Sequence, residues 1–106
     1  MPTREPLPER RLSCTIKHHI GNRTVYMTVG FFEDGRLGEV FVDVSRLGSE
    51  VRVWARATAM LVSLLLQHGV ATSEIADLLR EAGDAGVPCV VDFMAEELAF
   101  LSEGKA

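Results

Sequence analysis

The residues of this chain best equipped for chemistry are the pair His18-His19, the cysteines Cys14 and Cys89, and the acids Glu33, Asp34, Glu39 and Asp43. Adjacent histidines suggest a metal ion, but the spacing argues against one. In an extended strand, neighbouring side chains point to opposite faces, so His18 and His19 cannot chelate a single ion. Cys14 and His18 would share a face yet stand about 13 Å apart, at a rise of ~3.3 Å per residue. Cys89 and His68 are the remaining ligand types, and the two cysteines form no CxxC. No metal site is assigned, and Cys14 and His18 are expected to pack in the core. Paired carboxylates can do acid–base work, but turns attract Asp and sheets expose acids routinely. No Ser, His and Asp have a nucleophile-elbow setting. Gly35 and Gly38 do not open a helix, so they lack the phosphate-cradling context of a dinucleotide or P-loop motif. Spacing alone assigns no catalytic and no cofactor-binding residue.

The elements around these residues follow from periodicity. Residues 1–11 hold three of the four prolines and several charges, and read as an extended, solvated arm carrying Arg4, Arg10 and Arg11. From Leu12 the pattern has period two, with Leu12, Cys14, Ile16, His18 and Ile20 on one face. Gly21-Asn22 supplies a turn. Val25, Met27, Val29 and Phe31 then mark one face of a second strand. The stretch EDGR is an Asp-Gly hairpin signal, and EVFVDV is the third strand, ending near Gly48. The spacing next predicts a helix over about Ser49 to His68, with Ser49 as N-cap and Gly69 as stop. Its core stripe is read as Val51, Trp54, Ala57, Thr58, Leu61, Leu64 and Leu65, opposite Arg52, Arg56, Ser63 and Gln67. A shorter helix over about Ser73 to Ala82 is expected to bury Ile75, Leu78 and Leu79. Gly83 and Gly86 bracket a turn. Pro88 opens a last helix, with the stripe Val87, Val90, Val91, Met94, Leu98 and Leu101. The expected fold is α+β: a three-stranded antiparallel meander followed by three helices packed on one face. Residues 1–11 form the arm, and 12–106 a single domain.

Composition bounds the function. One domain of 106 residues can bury roughly two thirds of its unfolded surface. A net charge of −4 argues against a nucleic-acid partner. The start MPTREPLPERR offers no apolar signal segment. The most apolar stretch, Ala57 to Leu66, falls short of the about 20 residues that a bilayer requires. A cytoplasmic protein without a membrane role is expected. Met60 and Leu66 flank the long helix's stripe, and Phe93 and Phe100 lie beside that of the last helix. That much apolar surface predicts a homodimer or docking face built from these two helices.

Three segments, taken in order, resemble one family. LPERR (Leu7–Arg11), YMTVGFFEDGRLGEVFVDVSRLGS (Tyr26–Ser49) and SLLLQHGV (Ser63–Val70) are similar to the TSCPD domain. That domain occurs at the carboxyl-terminal side of adenosylcobalamin-dependent ribonucleotide reductases and also as small separate proteins. Asp34, Gly35, Arg36, Gly38, Glu39, Phe41, Gly48, Ser49, Leu66, Gln67, Gly69 and Val70 match the family pattern, whereas Leu37, His68 and Ala71 stand where Pro, Tyr and Pro are usual. The closing segment carries no T-S-C-P-D and no cysteine-rich end. The resemblance implies an accessory or recognition module in deoxyribonucleotide supply, with a ribonucleotide reductase large chain as partner and nucleotide as a ligand class. Asp34, Gly35, Arg36, Gly38, Glu39, Gly48 and Ser49 are its candidates for binding or turn geometry. Adenosylcobalamin would enter only through a partner reductase, since the reductase barrel and its cysteines have no counterpart in this sequence. The rival reading is a self-associating structural module unrelated to nucleotide reduction.

Overall fold

Period-two alternation gives three strands, β1 (Ser13–Ile20), β2 (Arg23–Phe31) and β3 (Leu37–Val44), paired antiparallel in the order β1-β2-β3. Three helices follow: α1 (Ser49–Gln67), α2 (Thr72–Ala82) and α3 (Val90–Ser102). The computed structural model describes residues 3–45, 49–83 and 89–103. The expected turn and cap positions Gly48, Gly86 and Pro88 lie outside the described residues. The α+β meander-then-helices reading holds. The chain forms two compact units, Met1–Gly69 with the sheet and α1, and Val70–Ala106 with α2 packed on α3.

In the first unit the register sets one apolar sheet face. Val25 lies opposite Val44, Met27 opposite Val42 and Val29 opposite Val40, and all six are buried. Fully burying such side chains is worth about 1.5–3 kcal/mol each. Cys14, Ile16 and His18 continue these rows on β1, opposite Val29, Met27 and Val25. Cys14 and His18 are nevertheless exposed, contrary to expectation. β1 is an outer strand, and burial of this face stops at β2. The alternation in β1 therefore records sheet membership and not core membership. His18 and His19 do point to opposite faces: His19 lies opposite Thr24, whose hydroxyl is 3.3 Å from its Nδ1.

β3 is the other outer strand, and α1 serves its free edge. An uncovered edge leaves alternate backbone groups unpaired. The Val40 N–H donates to Ser63 Oγ (2.8 Å), whose hydroxyl lies 3.0 Å from the Val40 carbonyl and 2.9 Å from that of Ala59. One turn on, Gln67 Nε2 donates to the Gly38 carbonyl at 2.9 Å. Ala55, Ala59, Val62, Leu66 and Gln67 are the buried residues of this helix. The expected stripe is thus turned from the core, although Arg52 and Arg56 are exposed as expected. Trp54, Leu61, Leu64 and Leu65 face water, while Ser63 and Gln67, read as the solvated side, meet the strand. Close approach to an edge requires small residues and hydrogen-bonding side chains, and these lie opposite the large apolar ones. Leu66 is buried and Met60 exposed. The helix ends at Gly69, whose φ is 85°.

In the second unit α2 buries Ile75 and Ala76, while Leu78, expected inside, is 59% exposed. α3 buries Val90, Phe93, Met94, Ala95 and Leu98. Phe93 therefore belongs to the core and not to a flank, whereas Phe100 is exposed.

Candidate functional site: the arm, hairpin and helix junction

The hairpin between β2 and β3 is closed by hydrogen bonds from Phe32 N–H to the Arg36 carbonyl and from Gly35 N–H to the Phe32 carbonyl, at 2.8 and 3.0 Å. Gly35 sits at φ 92°, a conformation that side-chain-bearing residues rarely adopt. Asp34 accepts two hydrogen bonds from Arg36, from the backbone N–H at 3.1 Å and from Nε at 2.7 Å. The far side of that guanidinium donates to both Glu5 oxygens at 3.0 and 3.1 Å. Its Cζ lies 4.6 Å from the Phe32 ring centroid, over the ring face. The hydrogen bond from the Arg36 backbone, then that from its side chain, lowers the Asp34 pKa. The Glu5 and Asp34 carboxylates raise that of Arg36. Both shifts move away from neutrality, so the pair holds position and is unsuited to proton transfer near pH 7.

Gly38 answers to a different constraint. The ladder passes from Gly30↔Glu39 to Phe31↔Leu37, leaving Gly38 without a partner on β2. Its φ is not positive. A Cβ there would stand 2.5 Å from Leu7 Cδ2 and 2.9 Å from Phe32 Cε2. The glycine makes room for the arm. Gly30 does the same for Glu39, because a Cβ at position 30 would meet Oε1 and lie 2.8 Å from Cγ. Glu39, 8% exposed, is paired by Arg11 through Nε at 2.6 Å and Nη2 at 3.2 Å. Arg11 also holds the Pro8 carbonyl at 2.6 Å.

Gln67 completes the junction at the end of α1. Besides its bond to Gly38, its Oε1 accepts from Arg4 Nε, and its carbonyl accepts from the Glu5 N–H at 2.7 Å. Residues 4–11, read as a solvated arm, are thus fastened to hairpin and helix at Arg4, Glu5, Leu7 and Arg11. Of the seven candidates, Asp34, Gly35, Arg36, Gly38 and Glu39 come together here. Ser49 begins α1, and Gly48 lies outside the described residues. Arg4, Leu7, Gly30 and Ser63 were missed. The available signal was the small and polar series Ala55, Ala59, Ser63, Gln67 at four-residue spacing.

A second feature is a shallow groove of about 300 Å³ between β3 and α1, lined by Phe41, Asp43, Arg52, Arg56 and Met60. Arg52 pairs with Asp43 at 3.0 Å, and Phe41 is 55% exposed. An aromatic face beside two guanidiniums suits a planar or anionic ligand. Among the described residues, no three His, Cys, Asp or Glu side chains gather as metal ligands. No buried side-chain nitrogen or oxygen among them is without a partner. None of the described helices is long and apolar enough to cross a membrane.

Fold and junction together define a small α+β module in which an amino-terminal arm is stitched across a hairpin and a helix end. The chain belongs to the TSCPD domain family, whose model matches residues 2–100. It is 42% identical over 77 residues to the vitamin B12-dependent ribonucleotide reductase of Bradyrhizobium diazoefficiens, covering 73% of this chain and 6% of that protein. It is also 42% identical over 71 residues to the enzyme of the same name from Agrobacterium fabrum, covering 67% of this chain and 6% of the relative. The corresponding protein of Rhodopirellula baltica is 36% identical over 69 residues, 65% of this chain and 7% of the relative. The matched part therefore spans 6–7% of the length of these relatives. No solved structure matches.

Proposed function

We propose that this chain is an accessory or recognition module in a vitamin B12-dependent ribonucleotide reductase system, acting through protein contacts and supplying no catalytic residue of its own. One observation carries the reading. The segments it shares with the family build a junction whose charged groups are engaged with one another, Arg36 between Asp34 and Glu5, and Arg11 on Glu39. Such groups fix a shape and leave recognition to the surface around it. The partner is a reductase large chain, and the setting is the cytoplasm, with neither a membrane nor a nucleic acid as partner.

Adenosylcobalamin belongs to that partner in this reading. The groove of about 300 Å³ is too small and open to enclose a corrin, and no buried polar side-chain atom among the described residues awaits a ligand. A nucleotide contact would fall at the same groove, with the base on Phe41 and the phosphates toward Arg52 and Arg56. The test is affinity capture from the source organism with the tagged chain as bait. A reductase large chain recovered in stoichiometric amount supports the reading, and its absence from a capture at micromolar bait contradicts it. The rival reading, a self-associating module, is favoured by the outward face of α1, where Trp54 and Leu61 are 66% and 62% exposed.

A further inference from the structure

The outward face of α1 carries a pattern that the sheet does not use. Val51, Trp54, Thr58, Leu61, Leu65 and His68 recur at alternating spacings of three and four, the repeat of a helix–helix seam. They lie beside the buried series Ala55, Ala59, Val62 and Leu66, about 110° round a helix of 3.6 residues per turn. A helix apolar on both faces is normally covered on both.

The pattern is also complementary to itself. Run antiparallel against its own copy, the stripe sets Trp54 against Leu65, Thr58 against Leu61 and Val51 against His68, all in one register. Large residues meet smaller ones along the seam. Its donors are already engaged locally, and only the His68 Nε2 acceptor, just past the helix end, is left for water at the rim of the seam. The Thr58 hydroxyl donates to the Trp54 carbonyl at 2.8 Å, Trp54 Nε1 donates to Glu50 at 3.5 Å, and His68 Nδ1 is 2.9 Å from the Leu64 carbonyl. Covering the stripe would strand no donor. With Leu64 beside it, the stripe exposes roughly 500 Å² per copy, so complete coverage in a pair would bury at most about 1,000 Å², just reaching the lower bound for a specific interface.

We infer that the occupant of this face is a second copy of the chain, paired by an antiparallel, two-fold α1–α1 seam centred between Thr58 and Leu61. The inference rests on the reading that this module works through protein contacts, and it is independent of the link to a reductase.

The chain has one tryptophan, Trp54, which sits in the seam and reports on it directly. Sedimentation of the wild-type chain at about 10 μM, a concentration that populates an interface of micromolar affinity, is expected to give twice the 11.6 kDa chain mass. Trp54 emission should be blue-shifted there and move to the red on dilution to a single-chain mass. Leu61→Glu, a change at an exposed position, should sediment as one chain with red emission and an unchanged far-ultraviolet spectrum. A single-chain wild type at that concentration overturns the inference, even if the chain then binds a reductase. So does a dimer whose Trp54 emission is that of exposed indole. Reductase capture is scored separately. A seam without capture sinks the functional reading alone, and capture by a wild-type monomer sinks the seam alone.

Discussion

Replacing Gly30 by Ala adds one methyl group at the point where Glu39 crosses β2. The added carbon would stand 2.8 Å from Glu39 Cγ and collide with its Oε1. Gly30 is buried in the central strand, so the backbone has little freedom to yield. The carboxylate must swing out, losing its Arg11 bonds at 2.6 and 3.2 Å. Overpacking costs about 1–3 kcal/mol, and a lost charge-assisted hydrogen bond about 1.5–3 kcal/mol. Partial exposure of Arg11 reduces the second figure, and Ala regains about 0.5–1 kcal/mol over Gly in the unfolded chain. A net loss of about 2–3 kcal/mol is expected from these magnitudes. With Glu39→Ala already in place the collision is gone, and Gly30→Ala should be neutral or stabilising by up to about 1 kcal/mol. Urea unfolding of wild type, both single variants and the double variant measures the coupling. Equal effects of Gly30→Ala in the two backgrounds would refute the argument that this glycine exists to seat Glu39.

Three further outcomes follow from the same geometry. Gly38→Ala should destabilise by about 1–3 kcal/mol through Leu7 and Phe32; Leu7→Ala should recover part of that loss in urea titrations, and no recovery would mean the arm does not set the constraint. By nuclear magnetic resonance the Asp34 carboxyl should titrate below its ordinary 3.8, and Arg36→Ala should bring it back toward that value. Because the folded pKa is the lower one, the contribution of Asp34 to stability is present at neutral pH and lost as pH falls through the depressed value. The purified chain, given adenosylcobalamin and a dithiol, should reduce no ribonucleotide; turnover that persists after rigorous removal of host reductase would overturn the non-catalytic reading.

The meander was legible because β2 and β3 carry clean alternation, with Val25, Met27 and Val29 against Val40, Val42 and Val44. Helix existence was equally plain from its 3.6-residue period. Which face of α1 points inward was not. Periodicity ranks side chains by size and apolarity, whereas an outer strand demands small residues and donors for its free edge. The stripe of Trp54, Leu61 and Leu65 was therefore assigned to the core when it faces water. Cys14 and His18 were misplaced for a related reason, since alternation cannot tell an outer strand from a covered one. The candidate site was half legible. Asp34, Gly35, Arg36, Gly38 and Glu39 stood out as an ordered match, but their partners lie far along the chain, 28 residues from Glu39 to Arg11 and 31 from Arg36 to Glu5. Gly38 read only as a candidate for binding or turn geometry, and the Leu7 contact that explains it has no local signature.

The most direct test of the account is a binding titration between this chain, labelled at the exposed thiol of Cys14, and the purified large chain of a vitamin B12-dependent ribonucleotide reductase from the same organism. Fluorescence anisotropy should rise to saturation with a midpoint at or below about 1 μM, near −8 kcal/mol of binding free energy, and unlabelled chain should reverse it. Anisotropy that stays flat to about 50 μM reductase, well above the concentration at which such an affinity saturates, would contradict the claim that this module works by contact with a reductase.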